Sequence, residues 1–245
     1  MNIKKAIPNT FTLLNLLSGL IAIICVFNGF YDQAFVFVCL GIFFDFWDGF
    51  LARKLDAQSE LGLQLDSLAD MVTSGVVPGL LIFRLIFNIQ LNQPEFAVTE
   101  DTFYLDILPY LGLLIPLASC YRLANFNIDK RQTESFIGLP TPANAMFIMS
   151  IPMIAYVDNY HWLVNLLGNP FVLVAITLVS SYLLNAEIPL FSLKFKKFSW
   201  KEAKIQILFL TFSVFLLLIF SFIAIPLIIL SYILISVLVN TFEKK

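Results

Sequence analysis

Apolar residues in this chain come in blocks rather than in alternation. Runs such as 212–222 carry no charge and show no two-residue period. They do not read as half-buried strands or as strands of a membrane barrel, both of which alternate apolar and polar positions. Blocks of about 20 apolar residues match the thickness of a bilayer core. In lipid a segment must satisfy its own backbone amides and carbonyls, so each block is predicted to be a helix. The pattern predicts an all-α integral membrane protein of about eight transmembrane helices. Their expected ranges are 10–27, 33–51, 66–86, 106–123, 143–156, 171–190, 205–222 and 225–239, the last two divided near Pro226. The spans fill the chain, so 1–245 reads as one membrane domain, with the last two helices (about 205–239) at its periphery.

Composition supports the pattern. The chain is 59% hydrophobic and 13% charged, whereas soluble domains carry about 25% charged residues. Cys25, Cys39 and Cys120 lie within apolar runs without CxxC spacing and read as packing residues. His161 is the only histidine, which leaves too few parts for a His-rich metal site or a Ser-His-Asp triad. The first apolar run follows Lys4 and Lys5 as a leader would, but it lacks a small-residue exit, and Ile24 before Cys25 is too large for lipoprotein-type cleavage. A retained first helix is expected.

Charge then orients the spans. If both termini are cytoplasmic, every Lys and Arg except Arg84 falls in a cytoplasmic segment, including the cluster from Lys194 to Lys204. The loop 87–105, on the other side, carries Glu95, Glu100 and Asp101 and no Lys or Arg. This is the positive-inside asymmetry. It places the chain in the cytoplasmic membrane, and nothing in it suggests a nucleic-acid partner.

One polar cluster interrupts the hydrophobic pattern. Asp45 and Asp48 stand three apart at the end of the second predicted span, and Asp66 and Asp70 four apart at the start of the third. Both spacings put side chains on one helix face. A short loop joins the two helices, so four carboxylates are expected to converge at the cytoplasmic boundary, where their desolvation and mutual repulsion are costly. Two divalent cations would cancel their formal charge. All-oxygen ligands favour Mg²⁺ or Mn²⁺, and a metal pair can polarise a phosphoryl group. Gly49, Ala52 and Gly62 leave room beside the acids, and Arg53 offers a permanent cationic fork suited to phosphate. Asn9, Thr12 and Asn15 repeat every three residues on one face of the first helix. Interhelical hydrogen bonding and nucleotide contact are both open for them. Arg122, Lys130 and Arg131 lie on the cytoplasmic side, where they can serve orientation or bind an anion. Arg122 is the first choice for a carboxylate, which Arg grips with two parallel bonds.

The stretch D-x-x-D-G-x-x-A-R, eight residues, then G-x-x-x-D-x-x-x-D is met here by Asp45, Asp48, Gly49, Ala52, Arg53, Gly62, Asp66 and Asp70. It resembles the signature of the CDP-alcohol phosphatidyltransferases. Residues 7–15 through Gly19, the stretch Arg122-Leu-Ala-Asn125-Phe-Asn127, and Phe136-Ile-Gly138-Leu-Pro140-Thr-Pro142-Ala143 resemble the bacterial and archaeal phosphatidylserine synthase branch, with Asn125 where many relatives carry Arg. The resemblance covers the chain to about Leu190.

The resemblance implies a helical membrane enzyme in which an alcohol displaces CMP from a CDP-linked lipid. It implies that Asp45, Asp48, Asp66 and Asp70 are metal ligands and that Asp70 takes the proton from the acceptor hydroxyl. It assigns Asp48, Gly49, Ala52, Arg53 and Gly62 to the CDP group, which the face of Asn9, Thr12 and Asn15 can then contact. For the branch it implies CDP-diacylglycerol and L-serine as substrates, and it suggests a homodimer; a serine zwitterion needs a cation for its carboxylate, which Arg122, Lys130 or Arg131 can supply, with Asn125 in the same stretch. Two rivals remain at this point. One is the same chemistry with glycerol phosphate, inositol phosphate or choline as acceptor. The other is a transporter, because intramembrane acids also mark transport pathways.

Overall fold

A computed structural model describes residues 3–92, 107–129, 136–154, 160–190 and 204–243. Helix α1 (Ile3–Phe27) and helix α2 (Tyr31–Lys54) form an antiparallel pair through a turn at Gly29. Helix α3 (Glu60–Asp70) passes through a π-helical turn (Met71–Val76) into α4 (Val77–Asn92). A 3₁₀ turn (Pro109–Leu113) leads into α5 (Leu114–Ile128). Then follow strand β1 (Phe136–Ile137), α6 (Thr141–Ile154), short α7 (His161–Leu167), α8 (Pro170–Asn185) and strand β2 (Pro189–Leu190). Helices α9 (Lys204–Phe220) and α10 (Ala224–Glu243) close the chain.

Four stretches have the length and hydropathy of a bilayer crossing: Ala6–Phe27, Tyr31–Lys54, Glu60–Leu91 and Gln206–Leu238, the last of them folded back on itself at Ser221. The α7–α8 pair, bent by 76°, makes a fifth if it counts as one span. The outer surface is that of a protein solvated by lipid. Ile24, Phe46, Val179 and Leu218 are all more than half exposed, a pattern a water-soluble surface of this size would not sustain. The core lies where α1, α2, α4, α5, α6 and α8 meet, around Val26, Val38, Leu81, Ile82, Ile115, Ile148 and Met149. Helix α6 is buried along most of its length.

Several expected boundaries shift. The third helix begins at Glu60, because Ser59 caps it by accepting the Gly62 N–H at 3.0 Å; Asp66 therefore lies within α3 and Asp70 at its last position, where the π turn begins, rather than at the start of a helix. The fourth continues to Ile128 and the sixth stops at Asn185, with 189–190 pairing in a two-stranded antiparallel ladder, Phe136 opposite Leu190. The last apolar run reverses at Ser221, which takes φ +50°, and not at Pro226. The Phe209 and Tyr232 ring centroids lie 5.6 Å apart, whereas 23 residues of straight helix would separate them by about 35 Å. Helices α9 and α10 therefore form a hairpin. Pro226 sits in the first turn of α10, where its missing N–H costs nothing.

Candidate active site

The link between α2 and α3 brings the acids together. Helix α2 ends where the Ala57 N–H reaches back to the Ala52 carbonyl at 2.9 Å, with Asp56 left-handed at φ +51°. Ser59 starts α3 two residues later. This tight connection lays the end of α2 against the start of α3, and α1 packs along both. Carboxylate oxygens of Asp45, Asp48 and Asp66 lie within 4.8 Å of one another. Asp70, one turn beyond Asp66, is outside that trio but within electrostatic reach of all three acids.

Helix α1 supplies the hydrogen bonds that fix two of these acids. Thr12 Oγ1 donates to Asp48 Oδ2 at 2.6 Å, and Asn15 Nδ2 donates to Asp70 Oδ1 at 3.0 Å. Both donors are buried, Asn15 completely. The Asn15 backbone carbonyl in turn accepts from Thr73 Oγ1 at 3.0 Å, in the π turn that follows Asp70. π turns inserted into α-helices are frequent at functional sites. Here the wide turn lets α1, α2 and the α3–α4 rod cross closely. A Cβ on Gly19 would stand 2.5 Å from Thr73 Oγ1, and one on Gly41 2.6 Å from Thr73 Cγ2 and 2.9 Å from Asn15 Oδ1. Only glycine fits at either crossing.

Two of the trio, Asp48 and Asp66 but not Asp45, line a crevice of about 540 Å³ together with Asn9, Thr12, Gly49, Ala52, Arg53 and Gly62, among others. The expected nucleotide-side residues thus share one cavity, with one exception. Asn15 does not line it and lies beneath the acids as the partner of Asp70. Arg53 is exposed at the crevice, with Nη1 3.5 Å from where a Gly49 Cβ would stand. A Cβ at Gly62 would come within 3.3 Å of Asn9 Oδ1 and narrow the cavity.

Arg122 and Asn125 line a different, smaller cavity of about 140 Å³, together with Asp129, Asn185 and Glu187. Arg122 is 7% exposed, and its Nη1 donates to the carbonyls of Ile137 (2.7 Å) and Leu184 (2.9 Å). It thereby ties α5 to the end of β1 and the last turn of α8. Gly138 permits this: it adopts φ +75°, and a Cβ there would stand 2.6 Å from the Leu184 carbonyl and 2.9 Å from Arg122 Nη1. Lys130 and Arg131 lie outside the described residues. Asn127, which the sequence pattern does not single out, donates from Nδ2 to Ser67 Oγ at 2.9 Å, between Asp66 and Asp70 in the chain. Its place in the same short stretch as Arg122 and Asn125 was the available signal.

The donor set at the acids suits a hard divalent cation. All ligands are oxygens, and Asp66 Oδ1 is buried without a hydrogen-bond partner among the described residues. A buried acceptor left unpaired is costly unless a ligand satisfies it. Fold and site together define a helical membrane protein with a carboxylate cluster at the end of three packed helices, opening on a crevice that carries a guanidinium and close backbone. That arrangement suits chemistry on a phosphate-bearing substrate. The model of the CDP-alcohol phosphatidyltransferase family matches residues 5–180, and the chain belongs to that family.

Three curated relatives narrow the comparison. CDP-diacylglycerol–serine O-phosphatidyltransferase of Bacillus subtilis (strain 168) is 35% identical over 147 residues, covering 58% of this chain and 73% of the relative. Archaetidylserine synthase of Methanothermobacter thermautotrophicus is 29% identical over 187 residues, covering 73% and 70%. A CDP-diacylglycerol–serine O-phosphatidyltransferase of Helicobacter pylori (strain 26695) is 28% identical over 216 residues, covering 87% and 81%.

Proposed function

We propose that this enzyme transfers the phosphatidyl group of CDP-diacylglycerol to the hydroxyl of L-serine, giving phosphatidylserine and CMP. The observation that carries the reading is the crevice itself. Asp48, Gly49, Ala52, Arg53, Gly62 and Asp66, six of the eight signature positions, line one cavity beside Asn9 and Thr12. The names of two of the relatives give CDP-diacylglycerol and serine together, and the name of the third gives a serine lipid as the product.

In this reading the CDP group lies in the crevice. Its phosphates approach Arg53 and the open backbone at Gly49 and Gly62, and Asn9 and Thr12 border it from α1. Asp45, Asp48, Asp66 and Asp70 hold two divalent cations, Mg²⁺ or Mn²⁺, which when bound neutralise the diphosphate and the developing negative charge. Thr12 and Asn15 hold Asp48 and Asp70 in the orientation that binding requires. Asp70 accepts the serine hydroxyl proton on its Oδ2, because Asn15 occupies Oδ1. The serine oxygen forms the new bond to the lipid-bearing phosphorus, the bond from that phosphorus to the CMP oxygen breaks, and CMP leaves with the electron pair. Arg122 and Asn125, with Lys130 and Arg131, serve the serine zwitterion. Their small cavity carries the guanidinium that a carboxylate needs, and Asp129 and Glu187 supply the anions that suit an ammonium. In this reading the chain has eight spans and both termini are cytoplasmic, so that the site faces the cytoplasm, in keeping with the distribution of Lys and Arg. A homodimer fits the same reading.

Asp70→Asn tests the assignment. CMP release should fall by roughly 10³-fold or more, while CDP-diacylglycerol still protects the protein against thermal unfolding. An Asp70→Asn enzyme that turns over at the native rate contradicts the role given to Asp70.

A further inference from the structure

The family match ends at residue 180, yet the small cavity at Arg122 is completed beyond it, by Leu184, Asn185 and Glu187. Helix α8 stops at Asn185, so the chain that follows must be held from outside. On one side the Gly138 N–H donates to the Ile188 carbonyl and the Leu139 N–H to the Leu183 carbonyl, both at 2.9 Å. The β1–β2 ladder sets Ile137 opposite Pro189 and Phe136 opposite Leu190. On the other side stands the C-terminal hairpin. Leu190 is buried in one cluster with Phe209 of α9 and Tyr232 of α10, with Ile188 packed against it.

The Ile137 carbonyl is one of the two that Arg122 Nη1 holds, so one strand of the ladder carries the guanidinium and the other meets the hairpin. Tyr232 links the two directly. It is buried, its ring packs on Phe209, and its hydroxyl lies within electrostatic reach of the Arg122 guanidinium. Tyrosine suits such a place, because its ring packs among apolar side chains while its tip meets a polar group. Tyr232 does not line the cavity, so what it does for an occupant it does through Arg122. The two carbonyls pin one corner of the guanidinium and leave its tilt to the groups packed around it. A two-bond grip on a carboxylate needs that tilt fixed.

We propose that Tyr232 is a positioning residue for Arg122, and that the C-terminal hairpin thereby sets how tightly the enzyme holds its acceptor. The division of labour follows the chain. The acidic crevice lies wholly within the family match, whereas the acceptor cavity is completed and braced by residues after it. The kinetic consequence rests on the serine reading given above; the contact between Tyr232 and Arg122 does not.

The test uses the full chain purified in detergent and Tyr232→Phe, which keeps the ring in its cluster and removes only the hydroxyl. The KM for serine should rise about three- to tenfold, while kcat and the KM for CDP-diacylglycerol stay within about twofold. Ser213→Ala, on the same hairpin and bonded to its own helix at the Phe209 carbonyl, should leave these constants unchanged. In an Arg122→Lys background, adding Tyr232→Phe should raise the serine KM by less than about twofold, because the group it positions is gone. A native serine KM in Tyr232→Phe, an equal rise in Ser213→Ala, or effects of Tyr232→Phe and Arg122→Lys that multiply would each overturn the inference. If CMP release requires another alcohol in place of serine, the serine reading fails by itself. The native chain, the two single variants and the double variant then decide the contact by thermal unfolding. Shifts in Tm that do not add support it, and shifts that add overturn it.

Discussion

Two regions among the described residues bury charge and treat it in opposite ways. At the α1–α2–α3 crossing, three carboxylates face one another within 4.8 Å, and Asp66 Oδ1 and Asn15 Oδ1 are left without donors. At the α5–β1–α8 junction, the buried guanidinium of Arg122 meets two backbone carbonyls that the ends of β1 and α8 would otherwise leave open. The first arrangement is under-satisfied and repulsive, and a ligand completes it. The second is complete in one of its donors before any ligand arrives. Burial of charge alone therefore does not mark a reacting centre; what distinguishes the acidic crevice is the polar capacity left over.

That contrast predicts a ranked set of mutant effects. Asp66→Asn should reduce CMP release by roughly 10³-fold or more. In chelator the same variant should melt at or above the native temperature, because one like charge has been removed from the cluster. A clear loss of metal-free stability would mean that the acids stabilise the fold rather than hold a ligand. Arg122→Ala should show the reverse emphasis. Two carbonyls lose their donor, at about 1–3 kcal/mol each, so thermal unfolding in detergent should shift markedly down. Arg122→Lys should recover part of the stability while the KM for serine rises. Full stability in Arg122→Ala, with only the serine KM raised, would collapse the contrast by making this second site purely a ligand pocket.

Two weaker effects sharpen the same comparison. Asn15→Ala removes the donor to Asp70 without touching the crevice wall. A lost outer-shell hydrogen bond should weaken Mn²⁺ binding, read by calorimetry, by about 10- to 100-fold. The KM for CDP-diacylglycerol should hardly move, whereas a raised donor KM with native Mn²⁺ affinity would return Asn15 to the nucleotide. Asn127→Ala, which frees Ser67, should cost roughly two- to fivefold in kcat, in keeping with one neutral hydrogen bond. No change in kcat would reduce Asn127 to a packing residue.

The acidic crevice was legible in the sequence because its parts are local. Spacings of three and four on two helices joined by a short loop leave little freedom in where the carboxylates go. Asn9, Thr12 and Asn15 were legible as one face of α1, but their division of labour was not. Asn15 turns to Asp70 because Gly19 and Gly41 let the helices cross there, and contacts between residues 55 positions apart leave no local trace. The π turn at 71–76 has no sequence signal of the kind that capping gives. Ser59 did carry such a signal, and its cap moves the start of α3 to Glu60. At the C-terminal hairpin the division expected between 205–222 and 225–239 falls within two residues of the break at Ser221–Ile223, but Pro226 is not the residue that makes it. Pro226 suits the first turn of a helix, so the chain reverses earlier, at Ser221, in a stretch without Gly or Pro.

The central claim is tested most directly by adding CDP-diacylglycerol, Mn²⁺ or Mg²⁺, and one acceptor at a time (serine, glycerol phosphate, inositol phosphate or choline) to the detergent-purified protein and measuring CMP. The account predicts CMP release that requires metal, is abolished by chelator, and occurs with serine alone. Metal-dependent release with another of these alcohols and none with serine would contradict the proposed acceptor and its cavity at Arg122. No release with any of them, from protein shown to be folded, would contradict the account of the crevice.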